Sequence, residues 1–355
     1  MRPSWVEVDL EAIRHNVRAL ANLIGPAKLC AVVKADGYGH GDVPVAEAAV
    51  EAGASWLAVA LVEEGVRLRE AGVEAPVLLL SEPPLSDARE IVHWNLTPTV
   101  YRPEFAEALR AAGADRVQVK VDTGMHRVGV APTELPALVE VCRSAGIVVE
   151  AIWTHFAVSE EVGDFTAAQI AMFNEVIDGL DVPMTHLANT AGGILYPEAR
   201  RDLVRAGIGI YGIHPGPATR PEVTLKPAMR IVSRVGYVQR LAAGDRPSYG
   251  RRRALKEDSN VVTVPIGYAD GLPRGLSDQG EVLIGGRRHR LAGTVTMDQI
   301  IVDVGDMAAQ VGDEVILIGR QGDEEISADE WAGLLGTIAY EVVCQIGPRL
   351  PRRYS

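Results

Sequence analysis

The chain has 355 residues, 47% of them hydrophobic and 5% aromatic, and carries a formal net charge of −12. That is enough chain for two cores. The acidic balance, with no long basic run, excludes the concentrated positive surface that phosphate-backbone binding needs, so no nucleic-acid partner is expected.

The three cysteines, Cys30, Cys142 and Cys344, are too few and too scattered for a disulfide framework and suit a reducing compartment. Cys30 and Cys344 have apolar neighbours and read as small core residues. The leading MRPSWVEVDLEAIRHN turns acidic within its first ten residues, unlike a secretory signal. No stretch of about 20 residues is free of charge, so no membrane span is expected and the chain reads as cytoplasmic.

From about residue 28 to about residue 215, apolar β-branched runs alternate with helical patterns. The strand candidates are KLCAVVKA, SWLAVAL, APVLLLS, LTPTV, RVQVKVD, VVEAIWTHF, MTHLANT and GIGIYGI. Helical patterns such as VPVAEAAVEAG, LVEEGVRLREAG, RPEFAEALRAAG, ELPALVEVCRSAG and FTAAQIAMFNEVIDG separate them, and several stop at Ala-Gly or Asp-Gly. Strands alternating with helices predict a parallel sheet, and about eight units predict a closed (β/α)8 barrel. Beyond about residue 225 the runs alternate with period two between Gly-rich turns, which predicts an antiparallel β domain with one helical stretch, SADEWAGLLGTIAYEVVCQIG. The boundary falls near the proline-rich HPGPATRPEV.

In a (β/α)8 barrel, chemistry sits at the C-terminal ends of the strands. Lys34, Lys120, Asp122, His155, His186 and Asn189 fall at or just after such ends. Lys34 closes the apolar run of LCAVVKADGYGH, where desolvation lowers an amine's pKa and frees the nucleophile a Schiff base requires. The same residues fit a strand-end lysine that snorkels to water. In RVQVKVD the valines alternate with Gln118, Lys120 and Asp122, which aims Lys120 inward. His155, in IWTHFA, is by itself as consistent with a hydrogen-bonded core histidine. Asn189 and Thr190, in HLANTAG, suit either an anion or an ordinary helix cap. Arg205 precedes the glycines of AGIGIYG, which permit close backbone approach to a ligand or close packing. No CxxC, HExxH, GxGxxG or Walker pattern occurs, so zinc, dinucleotide and P-loop readings fail.

As an ordered set, AVVKADGYGHG, VKVDTGMHRVG, WTHFA, HLANTAG, VRAGIGIYG, SYG, IGYADG, TVTMDQ and YEVVCQIGPRLPR resemble the alanine racemases over essentially the whole chain. These are fold-type III pyridoxal 5'-phosphate enzymes. The resemblance implies a cofactor-binding barrel over residues 1–225 and a β domain over residues 226–355, with a strand at about residues 4–10 joining the β domain.

It implies that Lys34 carries the cofactor as a Schiff base and acts as one catalytic base. Tyr249 is the other, supplied by the partner in a homodimer, and Tyr268 resembles the entrance tyrosine. An ordinary phenol titrates near pH 10, so a tyrosine base needs positive neighbours, matched here by His155 and Arg205. Arg205 also faces the cofactor's ring nitrogen and, as a permanent cation, leaves it unprotonated. Asn189 falls in the cofactor motif. Phosphate contacts match Tyr38, Thr190, the backbone at Gly207 and Ile208, and Tyr340. Arg127 and Met297 match substrate contacts, and Lys120 matches a lysine often carried as a carbamate. Thr296 stands where relatives have cysteine or serine, and GRRRALKEDSN after Tyr249 departs from the pattern.

The activity implied is interconversion of L- and D-alanine for peptidoglycan, with no membrane association. The alternatives are a serine or broad-specificity racemase of the same fold, or a non-catalytic pyridoxal-phosphate carrier. The carriers resemble the barrel alone.

Overall fold

A computed structural model describes residues 2–355. The chain divides into two units. One consists of Glu11–Gly37 and Gly41–Lys226; the other takes the residues up to Leu10, Tyr38–His40 and Pro227–Ser355.

Strand β1 (Ser4–Val8) belongs to the second unit. A 15-residue helix, Leu10–Ile24, lying in the first unit from Glu11 on, buries Ile13, Val17, Leu20 and Ile24 along one face. This helix is absent from the pattern reading, because EAIRHNVRAL precedes the first recognised strand. Then come β2 (Lys28–Val32), β3 (Trp56–Val59), β4 (Val77–Leu79), β5 (Thr99–Val100), β6 (Arg116–Lys120), β7 (Val148–Trp153), β8 (Met184–His186) and β9 (Leu203–Ala206). All pair in parallel, in two runs, β4-β3-β2-β9 and β5-β6-β7-β8. Parallel bridges Leu78↔Thr97 and Asn189↔Arg205 join the runs at both ends and close a ring of eight. Helices between the strands stop where expected. Helix Pro103–Ala112, for example, starts on proline and ends on Gly113 at φ 88°.

Two expectations fail here. GIGIYGI is not the eighth strand; that strand is the preceding Leu203–Ala206, and Ile208–Tyr211 forms a 3-10 turn. Three glycines weaken strand formation, and Gly209 packs so closely that a Cβ would lie 2.6 Å from Thr190 Cγ2. Cys344 is exposed, whereas Cys30 and Cys142 are buried. Val342 and Val343 take the buried face of its six-residue helix instead.

In the second unit the strands are β10 (Met229–Arg234), β11 (Tyr237–Leu241), β12 (Ser259–Val264), β13 (Glu281–Ile284), β14 (Arg287–Arg290), β15 (Ile300–Gly305), β16 (Glu314–Gln321), β17 (Glu324–Ile326) and β18 (Arg352–Tyr354). A seven-stranded sheet runs β14-β13-β16-β10-β1-β18, with β17 on β16, and a three-stranded sheet runs β11-β12-β15. All pairs are antiparallel except β1 with β18. The single expected helical stretch is two helices, Ala328–Leu335 and Ala339–Cys344, because Gly336 turns left-handed at φ 67°. Among the described residues no helix is long and apolar enough to cross a membrane.

Candidate active site

After β2 the backbone does something L-residues avoid. Following Lys34, residues Ala35, Asp36, Gly37 and Tyr38 take φ of 54°, 53°, 58° and 51°, a full left-handed turn. Each non-glycine there costs about 1–2 kcal/mol, so other contacts must impose the conformation. Glu64 supplies them: Oε1 accepts from Ala35 N at 2.6 Å, and Oε2 from Ala60 N at 2.8 Å and Leu61 N at 3.0 Å. Gly37 N donates to Val33 O at 3.0 Å, and Gly41 N to Asp36 O at 2.8 Å. Tyr38 itself belongs to the β unit, where its ring lies 6.3 Å from that of Tyr340. Gly39 is required there, since a Cβ would lie 2.3 Å from Val343 O.

At the end of β6, Lys120 is 4% exposed, with Nζ 4.6 Å above the Trp153 ring. Burial, then the Arg205 and Arg127 charges, push its amine down to about 7. The sign of the linkage follows. Between pH 7 and the ordinary lysine range the unfolded chain binds a proton that the folded chain does not, so stability rises with pH through that window. Lys120→Met should therefore raise the urea midpoint in CO2-free buffer at pH 6 and lose much of that advantage at pH 9. An advantage independent of pH would refute the assignment.

The loop after β6 is not a solvated tail. The Asp122 carboxylate accepts from Gly124 N and His126 N, both at 3.0 Å, and carries exposed Arg127 on a fixed bend. Gly129 closes the bend at φ 143°, where a Cβ would sit 2.7 Å from Asp122 N. Gly129→Ala should cost about 1–3 kcal/mol of strain. It should also displace Arg127, so that KM for an anionic substrate rises more than kcat falls in steady-state kinetics.

Arg205, in β9, is 2% exposed and, among the described residues, meets no carboxylate. Its Nη1 donates to His186 Nδ1 at 2.7 Å, and its Nη2 to Thr154 O at 2.8 Å, Leu187 O at 3.0 Å and His155 Nδ1 at 3.1 Å. Its Cζ lies 4.5 Å from the Trp153 ring. Burial lowers the guanidinium to about 10, still protonated near neutrality. Burial, and then Arg205, holds both His155 and His186 well below the usual histidine range, as neutral acceptors. His155 also feels Lys120, Arg127 and Lys34. Lys34, Lys120, Arg127, His155 and Arg205 thus share one end of the barrel.

Asn189 caps helix Thr190–Leu195, its Oδ1 accepting from Gly192 N at 2.8 Å and from Ser159 Oγ at 3.0 Å. Thr190 Oγ1 accepts from Gly207 N at 2.9 Å, which ties this helix start to the 3-10 turn beginning at Ile208. Of the two readings of HLANTAG, the structure displays the cap: Asn189 is an ordinary helix cap, with Gly207 N bonded to the first helical residue.

In the β unit, Tyr249, Tyr268, Arg274, Thr296 and Met297 line a cleft of about 710 Å³. Tyr249 is 74% exposed and Met297 53%. Ser248, at φ 67°, holds the loop by donating to Thr294 O at 2.7 Å, and Thr294 Oγ1 donates to Tyr249 O at 2.7 Å.

Comparison with known proteins covers both units. The alanine racemase N-terminal domain family matches residues 8–215 and the C-terminal domain family residues 228–354. The alanine racemase of Symbiobacterium thermophilum is 46% identical, over 100% of this chain and 98% of its own. The chain belongs to the alanine racemase family. A racemase of Desulforamulus reducens is 42% identical over 99% of both chains. Among solved structures, the alanine racemase of Streptomyces lavendulae has TM-score 0.94 at 37% identity, covering 100% of this chain and 97% of that one. The Bacillus anthracis alanine racemase with bound L-Ala-P has TM-score 0.94 at 36% identity, covering 100% and 95%.

Within this racemase-family chain, one unit gathers Lys34, Lys120, Arg127, His155, Asn189, Thr190, Arg205, Gly207 and Ile208; the other carries Tyr38, Tyr249, Met297 and Tyr340. Sequence reasoning did not find Glu64 or Trp153. Glu64 sits in an ordinary helical pattern four residues after Ala60, and only its three backbone donors reveal it. Trp153, the inward partner of Lys120 across β6 and β7, was readable from strand parity.

Proposed function

We propose that this protein is an alanine racemase using pyridoxal 5'-phosphate, working as a homodimer and supplying D-alanine for peptidoglycan. One observation carries the reading: Lys34, Lys120, Arg127, His155 and Arg205 crowd one barrel end, and among the described residues the buried Arg205 is paired only to neutral acceptors. Such a donor set suits a ligand bearing a phosphate and a carboxylate. The residues fit the cofactor. Lys34 offers the amine; the Ile208 amide and the Thr190 hydroxyl, held in place by the Gly207 N–H, offer phosphate donors; and the family's pattern assigns Tyr38 and Tyr340 to phosphate contacts as well. Asn189 holds the turn that presents Thr190.

When bound, the cofactor supplies an electron sink for a carbanion next to the substrate amine. Lys34 Nζ would hold the cofactor, and as a free amine it would take or return the substrate's α-proton on one face. The phenol of Tyr249 from a second copy serves the opposite face, and its high exposure in one copy supports that role. His155 and Arg205 favour the phenolate by charge and hydrogen bonding. Arg127 and the Met297 backbone amide of the second copy orient the substrate carboxylate. Lys120, with its amine near neutrality, is assigned the carbamate that positions Arg127.

The test is direct. The purified protein should show a borohydride-sensitive absorbance and should racemise L-alanine, with L-serine assayed separately. Bound cofactor without alanine turnover would overturn the assignment, and faster turnover of serine would move it to the serine racemases.

A further inference from the structure

Closed (β/α)8 barrels fill their interiors with layers of branched aliphatic side chains. Here a file of polar groups crosses the interior instead. Arg205 Nη1 donates to His186 Nδ1 at 2.7 Å, His186 Nε2 lies 2.9 Å from Gln118 Oε1, and Gln118 Nε2 donates to Glu150 Oε1 at 2.9 Å. Gln118 and His186 are 0% exposed. Arg116 Nε lies 4.0 Å from Glu150 Oε2 at the far end.

The file has one direction. An amide oxygen only accepts, so His186 Nε2 must carry the hydrogen, and the lone pair on Nδ1 faces Arg205. A reversed Gln118 amide would set its oxygen against a carboxylate and its NH2 against the ring N–H. Each link therefore donates away from Arg205 and toward Glu150.

An independent feature of the backbone brings Glu150 into reach. Between β6 and β7 the register runs Val117↔Val149 and then Gln118↔Ala151, so Glu150 is an extra residue in the β7 strand. A bulge of this kind re-aims a side chain, and bulges recur beside active sites. Trp153 stacks on His186 at 5.4 Å and 11°, fixing the imidazole plane that the file requires.

We propose that Gln118 and Glu150 are positioning residues: they lock His186 in the Nε2–H tautomer and thereby hold the Arg205 guanidinium in place as a donor. The catalytic consequence rests on the racemase reading above; the tautomer lock does not. Without the lock, His186 can shift its hydrogen to Nδ1, where it opposes the Arg205 N–H and frees the guanidinium to move.

The test uses full-length protein labelled with 15N-histidine, with the His186 resonances assigned against His186→Asn. Wild type should show a pyridine-type Nδ1 and a pyrrole-type Nε2. Gln118→Leu should lose that pattern, and Gln118→Glu, which keeps an acceptor, should retain it. Glu150→Leu should give mixed tautomers, and Glu150→Gln, which can still accept, should restore one. In holoenzyme, kcat for alanine should fall roughly tenfold in Gln118→Leu, as lost positioning does, with Glu150→Gln near wild type. A folded Gln118→Leu protein with the wild-type tautomer overturns the proposal. If that variant does not fold, an unchanged tautomer in Glu150→Leu overturns it equally. An inactive wild type with the expected tautomers would instead refute the racemase reading and leave the lock standing.

Discussion

If Lys34 has the two roles proposed for it, covalent anchor and general base, Lys34→Ala should lower alanine racemisation by more than about 10³-fold. The fold should survive. Lys34 is only half-buried, and the left-handed turn after it is held by backbone donors to Glu64 and Val33 that the substitution leaves in place. Urea midpoints should therefore match wild type, while borohydride no longer attaches cofactor mass to the chain. Added methylamine should restore part of the activity by replacing the missing base. Activity within tenfold of wild type would remove Lys34 from the chemistry.

Arg205→Leu should carry the largest stability loss. The guanidinium satisfies His186 Nδ1, His155 Nδ1 and the Thr154 and Leu187 carbonyls inside the barrel. Leucine leaves those acceptors buried and unpaired, at about 1–3 kcal/mol each and less than additively. A net loss of about 3–5 kcal/mol is expected from urea unfolding of the cofactor-free protein. Arg205→Glu separates charge from packing. Burial keeps a carboxyl protonated, so in the proposed site Glu would be able to protonate the cofactor's ring nitrogen where arginine would not. Pyruvate released from alanine should then rise relative to racemisation. If neither stability nor product ratio changes, Arg205 does not have this role.

The barrel was legible in the sequence because its strands and helices have different hydrophobic periods, and Ala-Gly stops mark the helix ends. The eighth strand was misplaced because GIGIYGI looks more regular than LVRA, while the cost of its glycines shows only when Thr190 is packed against Gly209. Lys34 and Lys120 were legible as charged residues in apolar runs, and Arg205 through the glycines that follow it and the family resemblance. Glu64 was not, since a glutamate in the first turn of a helix is ordinary until its backbone donors are located in space. Gln118 was half legible. Its parity with Lys120 was plain, but its partner Glu150 depends on a bulge that no local pattern announces. The pairing of β1 with β18 joins segments far apart in the chain, beyond the reach of any local period.

That pairing has a consequence for biosynthesis. β1 lies between β10 and β18 in the seven-stranded sheet, with Val6 opposite both Ile231 and Arg352. All eight barrel strands lie between residues 28 and 206 and can close while translation continues. β1 leaves the ribosome before any of them, yet neither of its partner strands is made until the barrel strands are complete. Through that interval its SWVEV backbone is an open edge, the kind of surface on which chains aggregate. Slow translation past residue 229 should prolong the exposure, and a nascent chain stalled there should bind chaperones through its first ten residues.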